Sequence, residues 1–111
     1  FRKATERMTA IILPLVYKYM SLMGVFPSEV RYKATISKWG SCSPRSRHIQ
    51  FSFYLLLLPD WCIEHIVVHE LAHLIEPYHN ARFYALMAKF YPKWREATKE
   101  TELISRMEDE K

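Results

Sequence analysis

The sequence predicts an α+β domain, in which a small antiparallel sheet or hairpin packs on a helix that carries the pattern HExxH. Three observations predict it. Apolar residues recur at helical spacing towards both ends of the chain, two segments in its middle alternate between apolar and polar residues, and the HExxH helix follows them. With 111 residues, of which 50% are hydrophobic, the chain has room for one core, so we expect a single domain over residues 1–111.

The first element is predicted to be a helix from about Ala4 to Met23, because its apolar residues form one stripe. Pro14 lies inside this stripe. Proline has no backbone N–H and crowds the preceding turn, so a kink or two shorter helices are expected. The residues of the stripe are Met8, Ile11, Ile12, Leu15, Val16, Tyr19 and Met23.

Two strands are predicted next. Residues 30–37 alternate between apolar and polar side chains, and residues 48–54 do the same, with Ile49, Phe51 and Phe53 on one side. Residues 39–47 are mostly polar and contain Gly40 and Pro44, which indicates a turn or loop. Two strands joined by a polar loop predict an antiparallel hairpin or meander.

Helices are predicted for the rest of the chain. Pro59 and Asp60 are typical of a helix start, and this helix runs to about residue 75 before Pro77 stops it. Asn80 is a good N-cap for a further helix. Pro92 begins the last helix. The core stripe expected in the helix after Asn80 consists of Phe83, Leu86, Met87 and Phe90.

The HExxH pattern itself indicates a metal centre. His69 and His73 lie four residues apart, so on a helix both imidazoles reach one ion from the same face. Glu70 lies at the edge of that face, where it can take a proton from a water bound to the metal. His79, six residues after His73, offers a third ligand. Three protein ligands with one open position are typical of catalytic zinc, whereas structural zinc has four protein ligands.

The surroundings of the pattern support this interpretation. Residues 63–75 are apolar on nearly every side, which predicts a buried helix. Burying two histidines and a glutamate without partners would cost several kcal/mol, and a metal with its water removes that cost. The alternative is that these are core histidines with ordinary hydrogen bonds.

His65 is also four residues from His69. However, His65, His69 and His73 span roughly 12 Å of helix, which is too far for all three to bind one ion. We expect His65 to be a packing, surface or outer-shell residue.

Composition limits the remaining functions. The net charge of +4 permits nucleic-acid proximity, but no zinc-finger, helix-turn-helix or RNP-type pattern accompanies the basic residues, which favours a solvated basic face. No apolar run approaches 18 residues and no secretory signal is present, so we expect a cytoplasmic protein without a membrane span. The chain begins with Phe1, which suggests a fragment of a longer protein.

The two cysteines are predicted to differ in their surroundings. Cys62 is predicted to be a core residue, while Cys42 lies in a polar loop and is a weaker candidate for approaching the metal.

Taken together, several motifs resemble the YgjP-like metallopeptidase family, which is related to the SprT-like proteases. The element order of helix, hairpin, HExxH helix and closing helices is similar to that of zincins. The resemblance implies zinc bound by His69, His73 and His79, with Glu70 as catalytic base. Its motifs are Lys38-Trp39-Gly40-Ser41-Cys42-Ser43, Pro59, Ile66-Val67-Val68-His69-Glu70-Leu71-Ala72-His73-Leu74 and His79-Asn80-Ala81-Arg82-Phe83.

Two positions depart from related patterns. The family often has Leu-Asn in the strand after the WGSC segment, where this chain has Phe51 and Ser52. The spacing between His73 and His79 equals that of metzincins, but Glu76 stands where their glycine would be, and no later Met-turn is evident.

The predicted function is a zinc metallopeptidase that acts on a peptide or protein. One alternative is a zinc hydrolase of non-peptide amides, which would use the same atoms. Another is a non-catalytic, zinc-stabilised module that docks on nucleic acid or a partner protein, although a structural site has no use for Glu70. We further hypothesise that Trp39 anchors its loop on the core, so that Ser41 and Cys42 form a wall of the zinc cleft; an ordinary connection held by one buried Trp is the alternative.

Overall fold

The computed structural model describes residues 2–109, with side chains over residues 2–105; residues 1, 110 and 111 lie outside this description. The described chain is α+β, as predicted, and contains a three-stranded sheet with helices before and after it. None of its helices has the length and hydropathy of a membrane span. In chain order the elements are α1 (Arg2–Met23), β1 (Glu29–Lys33), β2 (Gly40–Ser43), β3 (His48–Ser52), a short 3-10 helix (Phe53–Leu57), α2 (Asp60–Ala72), α3 (Ala81–Phe90) and α4 (Trp94–Asp109).

The sheet differs from the predicted hairpin. Its strand order is β1-β3-β2, and β1 pairs with β3 in parallel, from Glu29 opposite His48 to Lys33 opposite Ser52. The antiparallel partner of β3 is β2, which lies inside the segment predicted to be a loop. The predicted antiparallel pairing of the two alternating segments was therefore wrong. Period-two alternation indicates a strand, but it carries no information about which strand lies beside it or in which direction that strand runs.

The strand ends also differ from the prediction. β1 stops at Lys33, and Ile36 beyond it is 86% exposed, so the alternation there does not mark a half-buried strand. After Ser52 the chain turns into the 3-10 helix, where the Ser52 hydroxyl accepts a hydrogen bond from the Tyr54 backbone N–H. β3 is the central strand, and Ile49 and Phe51 are fully buried against the helices.

Helix α1 continues through Pro14 as one helix of 22 residues, where we expected a kink or two helices. Its predicted stripe packs on α2, with Met8, Ile12 and Val16 buried. Pro14 and Ala10 both lie on the exposed face, so the Ala10 carbonyl that lacks its helical N–H partner can accept a hydrogen bond from water instead. The burial of the opposite face stabilises the helix enough to offset the hydrogen bond lost at proline.

Helix α2 is central to the core and is buried on nearly every side, as its sequence predicted. Nine of its thirteen residues are buried. α1, α3, α4 and β2 all pack on it. The helix ends at Ala72, with His73 as its C-cap, so it is slightly shorter than predicted. Asn80 is the N-cap of α3 as expected, because its side-chain oxygen accepts a hydrogen bond of 3.0 Å from the Phe83 N–H.

Replacing Pro14 with alanine is expected to stabilise the domain by about 1–2 kcal/mol. Alanine restores a backbone donor within α1, which is worth up to about 3 kcal/mol in a helix interior, while the freer unfolded chain offsets roughly 1 kcal/mol of that gain. Urea unfolding followed by circular dichroism measures the change. Arg7→Ala, another exposed position of α1, is the matched control and should change stability by no more than about 0.5 kcal/mol. A Pro14→Ala protein less stable than wild type would contradict this account.

Candidate active site

The three histidines named from the sequence converge at the end of α2. His69 lies in the last turn of the helix, His73 caps it, and His79 lies in the turn before α3. The Nε2 atom of His73 is 3.2 Å from that of His69 and 3.0 Å from that of His79, and the third separation is 3.2 Å. Within the described residues, no other group of His, Cys, Asp or Glu converges in this way.

Three imidazole nitrogens so close together fit a small cation better than they fit one another. When a tetrahedral metal binds nitrogen at about 2.0–2.1 Å, two ligand nitrogens lie about 3.4 Å apart, close to the separations in this cluster. Three mutually facing nitrogens cannot all be satisfied by hydrogen bonds among themselves, because each neutral ring has one N–H and one lone pair. The donor set therefore fits a metal ion with an open fourth position.

The tautomer of His73 is consistent with metal binding. Its Nδ1 is 3.2 Å from the carbonyl oxygen of Glu76, an acceptor, so Nδ1 carries the proton and donates it. The lone pair then lies on Nε2, which points into the cluster. The Phe83 ring stacks on the His73 ring, with centroids 4.5 Å apart, and fixes its plane.

Burial keeps His69 neutral. Burial and, to a lesser extent, the neighbouring His73, His65 and His79 rings lower its pKa to about 3. Burial is also the main reason that the pKa of His73 is lowered. A metal binds the neutral imidazole, so both rings are held in the form that can bind it.

Glu76 positions the cluster and was missed by the sequence analysis, which noted it only as a departure from a glycine. The backbone carbonyl of Glu76 orients the His73 ring. The carboxylate of Glu76 accepts a hydrogen bond of 3.2 Å from the backbone N–H of Tyr78. This contact and the Asn80 side chain lower the pKa of Glu76. The ionised carboxylate thus holds the turn that returns His79 to the end of α2. Nothing in the residue spacing pointed to this role, because it depends on the path of the turn.

Glu70 is buried beside the histidine cluster, with 6% of its surface exposed. Burial raises the pKa of its carboxyl to about 8, although the charge of Lys38 opposes part of this rise. Strand β2 approaches it closely: a Cβ atom built on Gly40 would lie 3.1 Å from the Glu70 Oε2 atom and 3.2 Å from its Cγ. Glycine at this position therefore leaves space for the carboxylate.

The start of β2 forms one side of the site. Trp39 is half-buried against the core, and both Trp39 and Gly40 border a cavity that also reaches His69 and Glu70. Because side chains alternate along a strand, Cys42 shares the face of Gly40, and Ser41 points to the opposite face. Burial, followed by the charge of Glu70, raises the pKa of the Cys42 thiol to about 11. These contacts agree with the anchoring part of the loop hypothesis; a role of Ser41 and Cys42 in substrate entry stays a prediction.

His65 lies outside the histidine cluster. It is buried one turn before His69, with their ring centroids 6.0 Å apart. This agrees with a packing or outer-shell position. Burial lowers the pKa of His65 to about 4, so its ring is neutral near pH 7.

Comparison with protein families decides the relationship. The family model described as the YgjP-like metallopeptidase domain matches residues 2–103. The chain belongs to this family. It is therefore a metallopeptidase domain and not the non-catalytic docking module that the sequence analysis gave as an alternative. None of the curated proteins matches the chain in sequence.

Solved structures support the fold of this YgjP-like domain. The metallopeptidase zymogen of Pyrococcus abyssi abylysin is 23% identical, with a TM-score of 0.72, and the match covers 86% of this chain and 93% of that one. The metallopeptidase zymogen of Methanocaldococcus jannaschii jannalysin is 18% identical, with a TM-score of 0.70, and the match covers 86% and 96% of the two chains. At these identities the likeness shows a shared fold.

Glu76→Ala is expected to weaken zinc binding about 10–100-fold, the usual effect of removing a group that orients metal ligands. Glu76→Gln keeps an acceptor oxygen for the Tyr78 N–H and should retain most of the affinity. Competition with a chromogenic chelator measures both. Glu29, whose carboxylate pairs with Arg31 on β1, provides the control variant Glu29→Ala, which should bind zinc like wild type. Equal affinity in Glu76→Ala would show that the turn holds His79 without this carboxylate.

Cys42 is expected to react slowly with iodoacetamide in the folded protein. Because its pKa is raised to about 11, the neutral thiol dominates at pH 8, and its thiolate is about 100-fold scarcer than that of a thiol with the ordinary pKa of 9. The rate should rise about tenfold per pH unit from pH 7 to 10 without levelling. Mass spectrometry of a Cys62→Ala protein follows Cys42 alone. A plateau near pH 9 in the folded protein, like that expected in urea, would contradict the raised pKa.

Proposed function

We propose that this domain is a zinc-dependent peptidase in which His69, His73 and His79 hold the metal and Glu70 transfers protons. The observation that supports the proposal most strongly is the convergence of three Nε2 atoms within 3.2 Å of one another at the end of the helix that carries Glu70. Imidazole donors suit zinc, and three of them with an open position are typical of catalytic zinc.

Each residue of the site has a distinct part in peptide hydrolysis. A bound zinc would supply an electrophile that polarises the scissile carbonyl and makes a nearby water more acidic. Glu70 accepts a proton from the attacking water at its carboxylate and delivers that proton to the amide nitrogen as the C–N bond breaks. Its pKa of about 8 lies near neutral pH, where a group can both accept and donate protons, and a neighbouring cation would lower that pKa.

The substrate is proposed to be an extended peptide. β2 is an edge strand, since the order β1-β3-β2 leaves no described strand on its outer side. It packs on α2 beside Glu70, so a peptide that pairs with its free backbone groups would pass the catalytic carboxylate. Edge pairing recognises the main chain, which favours peptides over non-peptide amides.

Two further expectations concern the surroundings of the protein. Nucleic-acid proximity stays a prediction. Arg31 is paired with Glu29 at 2.7 Å, and the Arg47 guanidinium donates a hydrogen bond to the carbonyl of Phe26, so these two basic side chains already have partners within the protein.

A cytoplasmic location also stays a prediction. It is supported by the two cysteines, Cys42 and Cys62, which are both free thiols.

Glu70→Gln is expected to reduce peptide hydrolysis at least 100-fold while the protein still binds about one zinc per chain. The amide keeps the shape of the side chain but cannot accept the proton. Metal analysis after dialysis and a mass-spectrometric peptide-library assay measure the two properties. Glu64→Gln, six residues earlier on α2, is the control and should keep hydrolysis. Turnover retained in Glu70→Gln would assign the proton transfer to another group.

Gly40→Ala is expected to lower hydrolysis at least tenfold without loss of zinc. The added methyl group would lie 3.1 Å from the Glu70 Oε2 and 3.2 Å from the Gln50 carbonyl oxygen, so the Glu70 carboxylate must shift by a few tenths of an ångström. Ser43→Ala, at the exposed end of the same strand, adds no atoms and is the matched control. The same peptide-library assay compares the two variants. A Gly40→Ala protein with wild-type activity would mean that the site tolerates a displaced Glu70.

A further inference from the structure

A second cavity, of about 470 Å³, adjoins the cavity that His69 and Glu70 border. Trp39 and Ser105 line both cavities, so the two lie next to each other and share these side chains as a common wall. The second cavity is formed by residues 35–39, which lead into β2, by the 3-10 helix and by α4. None of the described residues that line it belongs to the metal site, so the proposed mechanism leaves it without a role.

Three large apolar side chains at the second cavity are exposed to solvent. Ile36 is 86% exposed, Leu57 is 53% exposed and Tyr54 is 42% exposed. They come from two separate segments, the bend before β2 and the 3-10 helix, so the fold brings them to one place. Single exposed apolar residues are common on protein surfaces, but a group of them around a concavity is typical of a binding site.

Hydrogen bonds hold the bend that carries Ile36. The hydroxyl of the buried Ser52 donates to the Thr35 carbonyl at 2.7 Å, and the hydroxyls of Thr35 and Ser37 lie 2.9 Å apart. The bend is therefore anchored to the end of β3, and the Ile36 side chain is presented at a defined place. An apolar side chain held in this way gains burial when a ligand covers it.

The edge of the sheet connects the two cavities. The Ser52 backbone N–H donates to the Trp39 carbonyl at 2.9 Å, so the main chain of Trp39 faces β3. Hydrogen-bonding groups alternate along an antiparallel pair, so those of the next residue, Gly40, are directed to the open edge. A peptide that pairs with Gly40 lies beside Glu70 and continues past Trp39 to the second cavity. Alternate side chains of an extended peptide are about 7 Å apart, so the residue beyond Trp39 is two or more positions from the scissile bond.

We propose that the second cavity is a substrate subsite, which binds a large apolar side chain of the peptide two or more positions from the scissile bond. The inference deepens the proposed function and rests on it. Continuity with the cavity at Glu70 favours the substrate over a second copy of the chain as the occupant. Lys38, the one charged residue among the described lining residues, is exposed and repels a basic side chain.

Exposed positions supply variants that leave the core intact. Leu57→Ser and Ile36→Ser remove apolar surface from the second cavity. Leu103→Ser is the matched control, because Leu103 on α4 is also 53% exposed but lines neither cavity. All three proteins should melt at temperatures close to that of wild type, since exposed positions contribute little to stability.

The first measurement needs neither metal nor activity. Methyl NMR of the metal-free protein follows Ile36 at the second cavity and Ile66 at the first during titration with the capped peptides Gly-Gly-Leu-Gly-Gly and Gly-Gly-Lys-Gly-Gly. We expect the leucine peptide to shift the Ile36 methyl signal and to bind at least threefold more tightly than the lysine peptide. Leu57→Ser should abolish this preference, and Leu103→Ser should keep it.

Three results of this titration would overturn the inference. They are shifts confined to Ile66, equal binding of the two peptides by wild type, and a leucine preference that persists in Leu57→Ser. A shift of the Ile36 signal when the protein is diluted without peptide would assign the cavity to a second copy of the chain, and would also overturn it.

The second measurement uses the zinc-loaded protein and a series of peptides. The two residues that flank the scissile bond stay fixed, and one more distant position at a time is Leu, Ala or Lys. Burial of a leucine side chain favours binding by about tenfold or more, so at one distant position the kcat/KM with Leu should exceed that with Ala or Lys at least tenfold. This ratio should fall below threefold in Leu57→Ser and Ile36→Ser and stay unchanged in Leu103→Ser.

The outcomes separate the subsite from the peptidase function. Cleavage without a leucine preference at any distant position, or with a preference that Leu57→Ser and Ile36→Ser both retain, would refute the subsite and leave the peptidase function standing. Failure to cleave any peptide would contradict the proposed function, and the methyl titration would still decide whether the cavity binds an apolar side chain.

Discussion

The structure depends on placing ionisable side chains in a helix that is buried on almost all sides. α2 lies between α1, α3, α4 and β2; it carries His65 and Glu70 into the interior and leaves His69 partly buried. Desolvation acts on these groups in one direction, because it favours the neutral form of each. It keeps the imidazoles unprotonated and the carboxyl close to the midpoint of its titration near neutral pH. The same burial that forms the core therefore sets the protonation states of the residues in the candidate site.

The surrounding elements compensate for this burial to different extents. At the end of α2 the chain reverses through a short turn, where Glu76 supplies a carbonyl to His73 and a carboxylate to the Tyr78 N–H. The Nε2 atoms of His69, His73 and His79 then lie within 3.2 Å of one another, where a bound cation would replace the hydrogen bonds that the rings cannot make to each other. Earlier in the helix, the buried Nδ1 atom of His65 has no hydrogen-bond partner within the described chain. An unpaired polar atom that is buried in this way reduces stability.

The sheet contributes to the site through one close contact. β2 is short and lies at the edge of the described sheet, and its first residue, Gly40, lies against the carboxylate of Glu70. The parallel pairing of β1 with β3 requires the chain to cross over through β2, so the strand nearest Glu70 comes from the segment between the two alternating stretches. Arg47 closes this crossover, with a positive φ of 64° and a hydrogen bond from its backbone N–H to the Ser43 carbonyl.

The sequence by itself determined the elements whose signals are local. The four-residue spacing of His69 and His73, the apolar surroundings of α2 and the N-cap at Asn80 are all properties of neighbouring residues, and each predicted structure is present. The α+β class and the family resemblance follow from the same signals. Only the tertiary structure decided how distant segments meet. Strand direction, the unbroken path of α1 through Pro14, the role of Glu76 and the burial of His65 depend on which surfaces are buried together, and local periodicity does not encode that.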